Sequence, residues 1–264
     1  MLRLWIVGLF AALAAGCGSL PAAPSAAVAQ LAPSGTLRAA INFGNPILAA
    51  RAADGSAQGV SVDLARELAR RLGVAVELVP YQAAGRVVEG VKTLAWDIAF
   101  VAIDPLRANE IDYSAAYVVI EGAYLVRRDS PIQSNAQVDR PGIRIAAARG
   151  SAYDLFLSRE LRQARIVHVP TSPAVTETFL VQNLDAAAGV RQQLEADARR
   201  MPGLRLLDGR FMVINQAMGV PKGRPDGLAY LRAFVEEMKS SGFVARALER
   251  HRIEGAALAA AAGR

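Results

Sequence analysis

The stretch Asp97-Ile-Ala-Phe-Val-Ala-Ile103, followed at once by Asp104-Pro105-Leu106-Arg107, decides the fold. An unbroken apolar run of strand length reads as a strand buried on both faces. Asp-Pro signals a helix start, with Asp104 at the N-cap and Pro105 at the first helical position. Arg107 is therefore expected in the first turn of a helix, just past the end of a buried strand. Open α/β sheets bind their ligands along that rim. A guanidinium there offers a fork of donors that fits a carboxylate.

The surrounding sequence alternates strands and helices. Before the stretch, Leu37–Asn42 is expected as a strand. Ser61 is expected to cap a helix with Leu64, Ala65, Leu68 and Leu72 inward and Gly73 at its end. Val74–Val79 follows as a strand and Gly85–Thr93 as a helix. A second series begins after Asp129. Strands are expected at Ile143–Ala148, Arg165–Val169, Leu184–Val190 and Leu204–Leu207. Between them, one helix opens at Gly150-Ser151, another is capped by Ser172 with Pro173 at its first position, and a third spans Gln192–Arg200. A long amphipathic helix carries Leu228, Leu231, Val235 and Met238 on its apolar face. This pattern is an α/β fold with parallel sheets covered by helices. Two sheet systems imply two lobes, joined where Tyr117–Arg128 and Phe211–Lys222 cross, with a ligand pocket between them.

The amino terminus reads as an export signal over residues 1–16, with Arg3 as its positive region and an apolar run from Leu4 to Ala15. The only cysteine, Cys17, follows Leu13-Ala-Ala-Gly16, which resembles a bacterial lipobox and makes Cys17 the lipidation candidate. Cleavage after Ala27-Val28-Ala29 is the alternative. Residues 17–34, rich in Pro, Ala and Ser, read as a flexible tether. Lobe 1 is expected to take 35–123 and 216–264, and lobe 2 to take 124–215.

The net charge of +6 is the balance of 30 basic and 24 acidic residues; three of the basic residues are lysines, and the arginines are scattered along the chain. With 6% aromatic residues and no basic cluster, nucleic acid is not an expected partner. His168 and His251 stand apart with no cysteine in the body, so neither a metal nor another cofactor is expected. No phosphate loop or nucleophile–base motif is present.

Taken in order, several segments resemble the family 3 bacterial extracellular solute-binding proteins, the receptors of polar amino-acid ABC importers. They are Gly35-Thr-Leu-Arg38, Gly59-Val-Ser-Val-Asp-Leu-Ala65, Arg70-Arg-Leu-Gly73, Pro105-Leu-Arg107 and Ile111-Asp-Tyr-Ser114 with Tyr117. Further on come Leu125-Val-Arg-Arg-Asp-Ser-Pro131, Gly150-Ser151, Leu184-Asp-Ala-Ala187 and the helices of Tyr230–Leu248. The resemblance implies a type II periplasmic-binding-protein fold, two lobes with mixed sheets and two hinge crossings, closing on a ligand. It implies a periplasmic monomer that hands a small carboxylate solute to ABC permease subunits.

The resemblance gives Arg107 the ligand carboxylate, and it makes Gly150 and Ser151 an anion-attracting helix start. It places Asn42 and Asn45 in the pocket, although asparagine is also an ordinary turn residue. The family commonly carries an aromatic in this loop, so the usual stacking lid is absent or is supplied by Phe43 or Tyr81. Phe100 and Ala102 stand where the family carries hydroxyls, and Asp104 keeps its capping role beside the pocket. Val190 stands where the family carries the acid that neutralises a ligand ammonium. Either Glu121, on the first crossing strand, takes over that task, or the ligand has no amine there. The same fold also hosts cyclohexadienyl-dehydratase-like enzymes, for which Glu121 would be the acid, and sensory receptors for organic acids.

Overall fold

The computed structural model describes residues 23–262. The expected leader and Cys17 lie outside them. The first half of the described chain runs α1 (Ser25–Leu31), β1 (Thr36–Asn42), the small hairpin β2 (Ala50–Arg51) and β3 (Ala57–Gln58), α2 (Val60–Leu72), β4 (Ala75–Tyr81), α3 (Ala84–Glu89) and β5 (Ile98–Ala102). The long strand β6 (Ile111–Arg127) then crosses into the second lobe. There the order is β7 (Arg144–Ala148), α4 (Ala152–Glu160), β8 (Arg165–Val169), α5 (Val175–Val181), β9 (Ala186–Val190), α6 (Arg191–Arg200) and β10 (Leu204–Leu206). Strand β11 (Met212–Pro221) returns, and α7 (Pro225–Ser240), α8 (Phe243–Arg250) and β12 (Ala257–Leu258) finish on the first lobe and hinge.

The two expected sheet systems are in fact one. A ten-stranded sheet runs in the order β4-β1-β5-β11-β6-β9-β7-β8, with β10 and β12 also paired to β6. Within each lobe the neighbours β1–β4, β1–β5, β7–β8 and β7–β9 are parallel. The crossing strands pair antiparallel with each other and with both lobes, which fuses the halves. A single sheet arises because each crossing strand has two edges, and each edge left unpaired would expose backbone donors and acceptors. The register of β11 on β6 shifts between Gln216 and Gly219, so the ribbon is irregular where it passes between lobes. The expected lobe boundaries at 123/124 and 215/216 fall inside these two strands.

Strand β5 is buried along its whole length, as its apolar run requires. Asp97, at the head of that run, is 0% exposed. Its carboxylate accepts from Arg38 Nε (3.0 Å) and Nη2 (2.8 Å) on β1, while Arg224 Nη1 comes within 3.3 Å from the start of α7. A buried charge must be paired in this way, and here the pairing ties three elements together. Helix α2 buries Leu64, Ala65, Leu68 and Leu72, and Gly73 ends it in the left-handed conformation. Its N-cap is Gly59 rather than Ser61. A Cβ at Gly59 would lie 2.4 Å from the Leu48 carbonyl, so the chain needs glycine there, and the Ser61 hydroxyl instead meets the Tyr117 hydroxyl in the core.

The expected tether is overturned in its second half. Residues 25–31 form α1, which buries Ala27 and Leu31. Gln30 bonds Asp226 and accepts the Gly227 N–H, and Arg224 donates to the Gln30 carbonyl. Composition suggested a linker, but two apolar residues at helical spacing found a surface on α7 to cover.

Candidate functional site

The deciding stretch ends in a turn tighter than expected. Asp104 does not cap an α-helix. Its Oδ1 accepts the Leu106 N–H at 2.9 Å, and the chain continues into a single 3-10 turn, Arg107–Asn109. That turn folds the guanidinium back over the end of β5, leaving Arg107 3% exposed. Nη1 donates to the Ala102 carbonyl at 3.0 Å, and Nη2 reaches across to the Gly150 carbonyl of the second lobe at 2.8 Å. Nε is buried without a partner. Burial lowers the guanidinium pKa from its ordinary value, with the nearby Tyr113 and Asp104 opposing the shift. A charge so enclosed, with an unsatisfied N–H, calls for an anion.

A small cavity lies beside it between the lobes. Of the sequence-nominated residues, Asn42, Asn45, Ala102, Arg107, Ser151 and Val190 line it. Asn42 ends β1 and holds the following turn by accepting the Gly44 N–H at 3.0 Å. Asn45 faces the cavity with a buried Oδ1 that has no partner. Val190 is the last residue of β9 and the N-cap of α6.

Gly150 and Ser151 open α4, but their N–H groups are engaged. Gly150 N–H goes to Asp154 Oδ2 (2.7 Å), Ser151 N–H to the Ala148 carbonyl, and Ser151 Oγ caps the helix by accepting the Asp154 N–H at 3.0 Å. Asp154 Oδ1 in turn meets His168 Nε2 at 2.8 Å. The donors left at the helix start are the backbone N–H groups of Ala152 and Tyr153, both in the cavity wall. Gly150 lies at φ +70°, and a Cβ there would stand 2.9 Å from the Gly85 Cα of the facing lobe. The backbones thus touch at a glycine pair, and the cleft is closed.

Four nominated residues, Gly150, Phe43, Asp104 and Glu121, are not in the wall. Phe43 carries the Arg51 guanidinium over its ring, 4.6 Å from the centroid. Asp104 pairs across the cleft with Arg159, N···O 2.9 Å. Glu121 is held by Arg210 Nη1 (2.6 Å) and Arg191 Nε (2.9 Å), and these guanidiniums, Arg210 foremost, keep its pKa below the ordinary carboxylate value. Tyr81 packs by Gly90 and Trp96 instead of facing the cavity. The aromatic that does line it is Tyr153, whose hydroxyl donates to Ser172 Oγ at 2.9 Å. Ser172 itself caps nothing, since Thr171 precedes that turn. Sequence reading also missed Gln216, 7% exposed on β11. Nothing in its local sequence marks it, but its place in a crossing strand beside Ala102 does.

Comparison with known proteins accounts for this architecture. Residues 37–253 match the bacterial extracellular solute-binding proteins, family 3. The chain belongs to this family. Its relatives include the L-cystine-binding protein TcyJ of Escherichia coli (strain K12), 22% identical over 240 residues that cover 90% of each chain. Among solved structures, the solute receptor for L-cysteine of Neisseria gonorrhoeae is 24% identical with a TM-score of 0.75, covering 86% of this chain and 94% of that one. A mutant of the T. maritima protein ArgBP superimposes equally well, at TM-score 0.75 and 22% identity, covering 86% of this chain and all of that one. The fold is the type II periplasmic-binding-protein fold, and this protein is a solute-binding receptor. No helix among its described residues is long and apolar enough to cross a membrane.

Proposed function

We propose that this receptor captures a small carboxylate solute, an amino acid or a relative of one, in the periplasm and delivers it to the permease subunits of an ABC importer. The supporting observation is the buried Arg107 guanidinium, which faces the interlobe cavity with its Nε unpartnered. The solute carboxylate takes that N–H and the backbone donors at the start of α4, a charge-assisted arrangement. Closure then rests on contacts both lobes make to one solute, so binding and hinge closure are a single equilibrium. Amino-acid and cystine or cysteine binding by the relatives supports the same solute class. Lipidation at Cys17 would keep the receptor at the membrane face.

A thermal-shift screen of amino acids and organic acids tests this reading. A tight ligand raises the melting temperature in proportion to the logarithm of its excess over Kd. Carboxylates are expected to produce the shifts, and their amides or alcohols none. Shifts from uncharged solutes and none from any acid would overturn the proposal.

A further inference from the structure

The electrostatics of the cavity are one-sided. Arg107 is the one charged residue in its wall among the described residues. The acids nearest by sequence and contact are all engaged elsewhere. Asp104 is bonded to the Leu106 N–H and paired with Arg159, Asp154 serves the Gly150 N–H and His168, and Glu121 is clamped by Arg191 and Arg210. Two buried polar atoms in the wall are unsatisfied: Arg107 Nε, a donor, and Asn45 Oδ1, an acceptor. The remaining polar lining is neutral, chiefly Gln216, Ser172 and the backbone donors of α4.

A zwitterionic amino acid fits this wall poorly. Its carboxylate would satisfy Nε, but its ammonium would have to leave water and sit in a closed cleft beside a guanidinium, with no carboxylate to face. A hydroxyl there brings no charge and needs only a neutral acceptor, for which the buried, unpartnered Asn45 Oδ1 of the same wall is available. Neutral donors and acceptors built for one another discriminate strongly, because the wrong partner leaves buried groups unmatched.

We propose that the cleft selects small acids whose substituent is a neutral donor, 2-hydroxy acids being the matching class, and rejects the corresponding α-amino acids. This rests on the carboxylate reading of Arg107 and narrows the solute class proposed above, keeping the hydroxy relatives of amino acids and excluding the α-amino acids themselves.

The test is a calorimetric titration of the purified protein at neutral pH with pairs matched in side chain, from L-lactate against L-alanine to the indole-bearing pair. The hydroxy acid of the best pair is expected to bind about 100-fold more tightly than its amino counterpart. Gln216→Glu and, independently, Val190→Asp place an acid in the wall and are expected to narrow that gap by at least about tenfold. Equal or tighter binding of the amino series by the unmodified protein overturns the inference while leaving carboxylate capture intact. So does an unchanged gap in both variants when each melts as a folded protein. If neither series binds, the carboxylate reading itself falls and this inference falls with it.

Discussion

The two walls of the cleft do different work with different atoms. The first lobe presents side chains: Asn42, Asn45 and the buried Arg107. The second presents neutral side chains, Ser151, Tyr153, Ser172 and Val190, beside the N–H groups at the start of α4, and its Gly150 carbonyl receives Arg107. A side chain on a rigid strand end can carry charge, and it sets which solute is held. Backbone at a helix start supplies dipoles whatever the residue, and it reports whether the lobes have met. On the proposed reading the first wall supplies the charge that holds the carboxylate, and the second supplies the contacts that accompany closure.

The largest expected effect breaks the first wall. Arg107→Ala should weaken binding of whichever acid gives the greatest thermal shift by about 3 kcal/mol, since a buried carboxylate loses its charged donor. Titration calorimetry measures this, and a loss below tenfold would mean that the charge is not decisive.

Next comes closure. Gly150→Ala should cost about 1–2 kcal/mol, from a side chain at φ +70° and from its encounter with the Gly85 backbone. Binding should weaken, and solution scattering at saturating solute should show a larger radius of gyration than the parent. An unchanged radius would return closure to the first wall.

A smaller effect is expected from Asp104→Asn, which removes the ion pair to Arg159 between lobes. Arg159 is partly exposed, so roughly 0.5–1 kcal/mol is at stake. Stopped-flow release should quicken a few-fold, and added salt should shrink the difference between variant and parent.

The smallest effect lies on α2, away from both walls. Arg70 foremost, then Arg71, hold Glu67 at a pKa of about 2. Its folded value lies below the unfolded one, so its contribution is present above the unfolded carboxylate pKa and fades as pH falls toward about 2. Glu67→Gln should flatten the acid limb of a melting-temperature profile and leave solute affinity at pH 7 unchanged. A change in affinity would show that the first lobe transmits strain from α2 to the cleft.

Much of this architecture was legible because local signals and burial agreed. The strands near 37–42, 98–102, 144–148 and 165–169 announce themselves by apolar runs, and the two crossing segments stand out as extended stretches between alternating units. Arg107 could be placed at the rim because Asp-Pro ends the strand abruptly. The errors share a cause. A 17–34 tether and caps at Ser61 and Ser172 follow from local chemistry alone, but a partner distant in sequence claims residues 25–31 (α7), Ser61 (Tyr117) and Ser172 (Tyr153). Glu121 was a reasonable candidate until the fold brought Arg191 and Arg210 to it.

By itself the sequence determined the alternation of elements, the family and the arginine at the strand end, because periodicity and turn chemistry act within a few residues. The tertiary structure decided which acids face the cavity, which N–H groups are left free, that Gln216 and Tyr153 join the wall, and that the two sheets are one. Those outcomes depend on which side chains meet across the hinge, and a hydrogen bond or ion pair formed there changes what each residue has left to offer a solute.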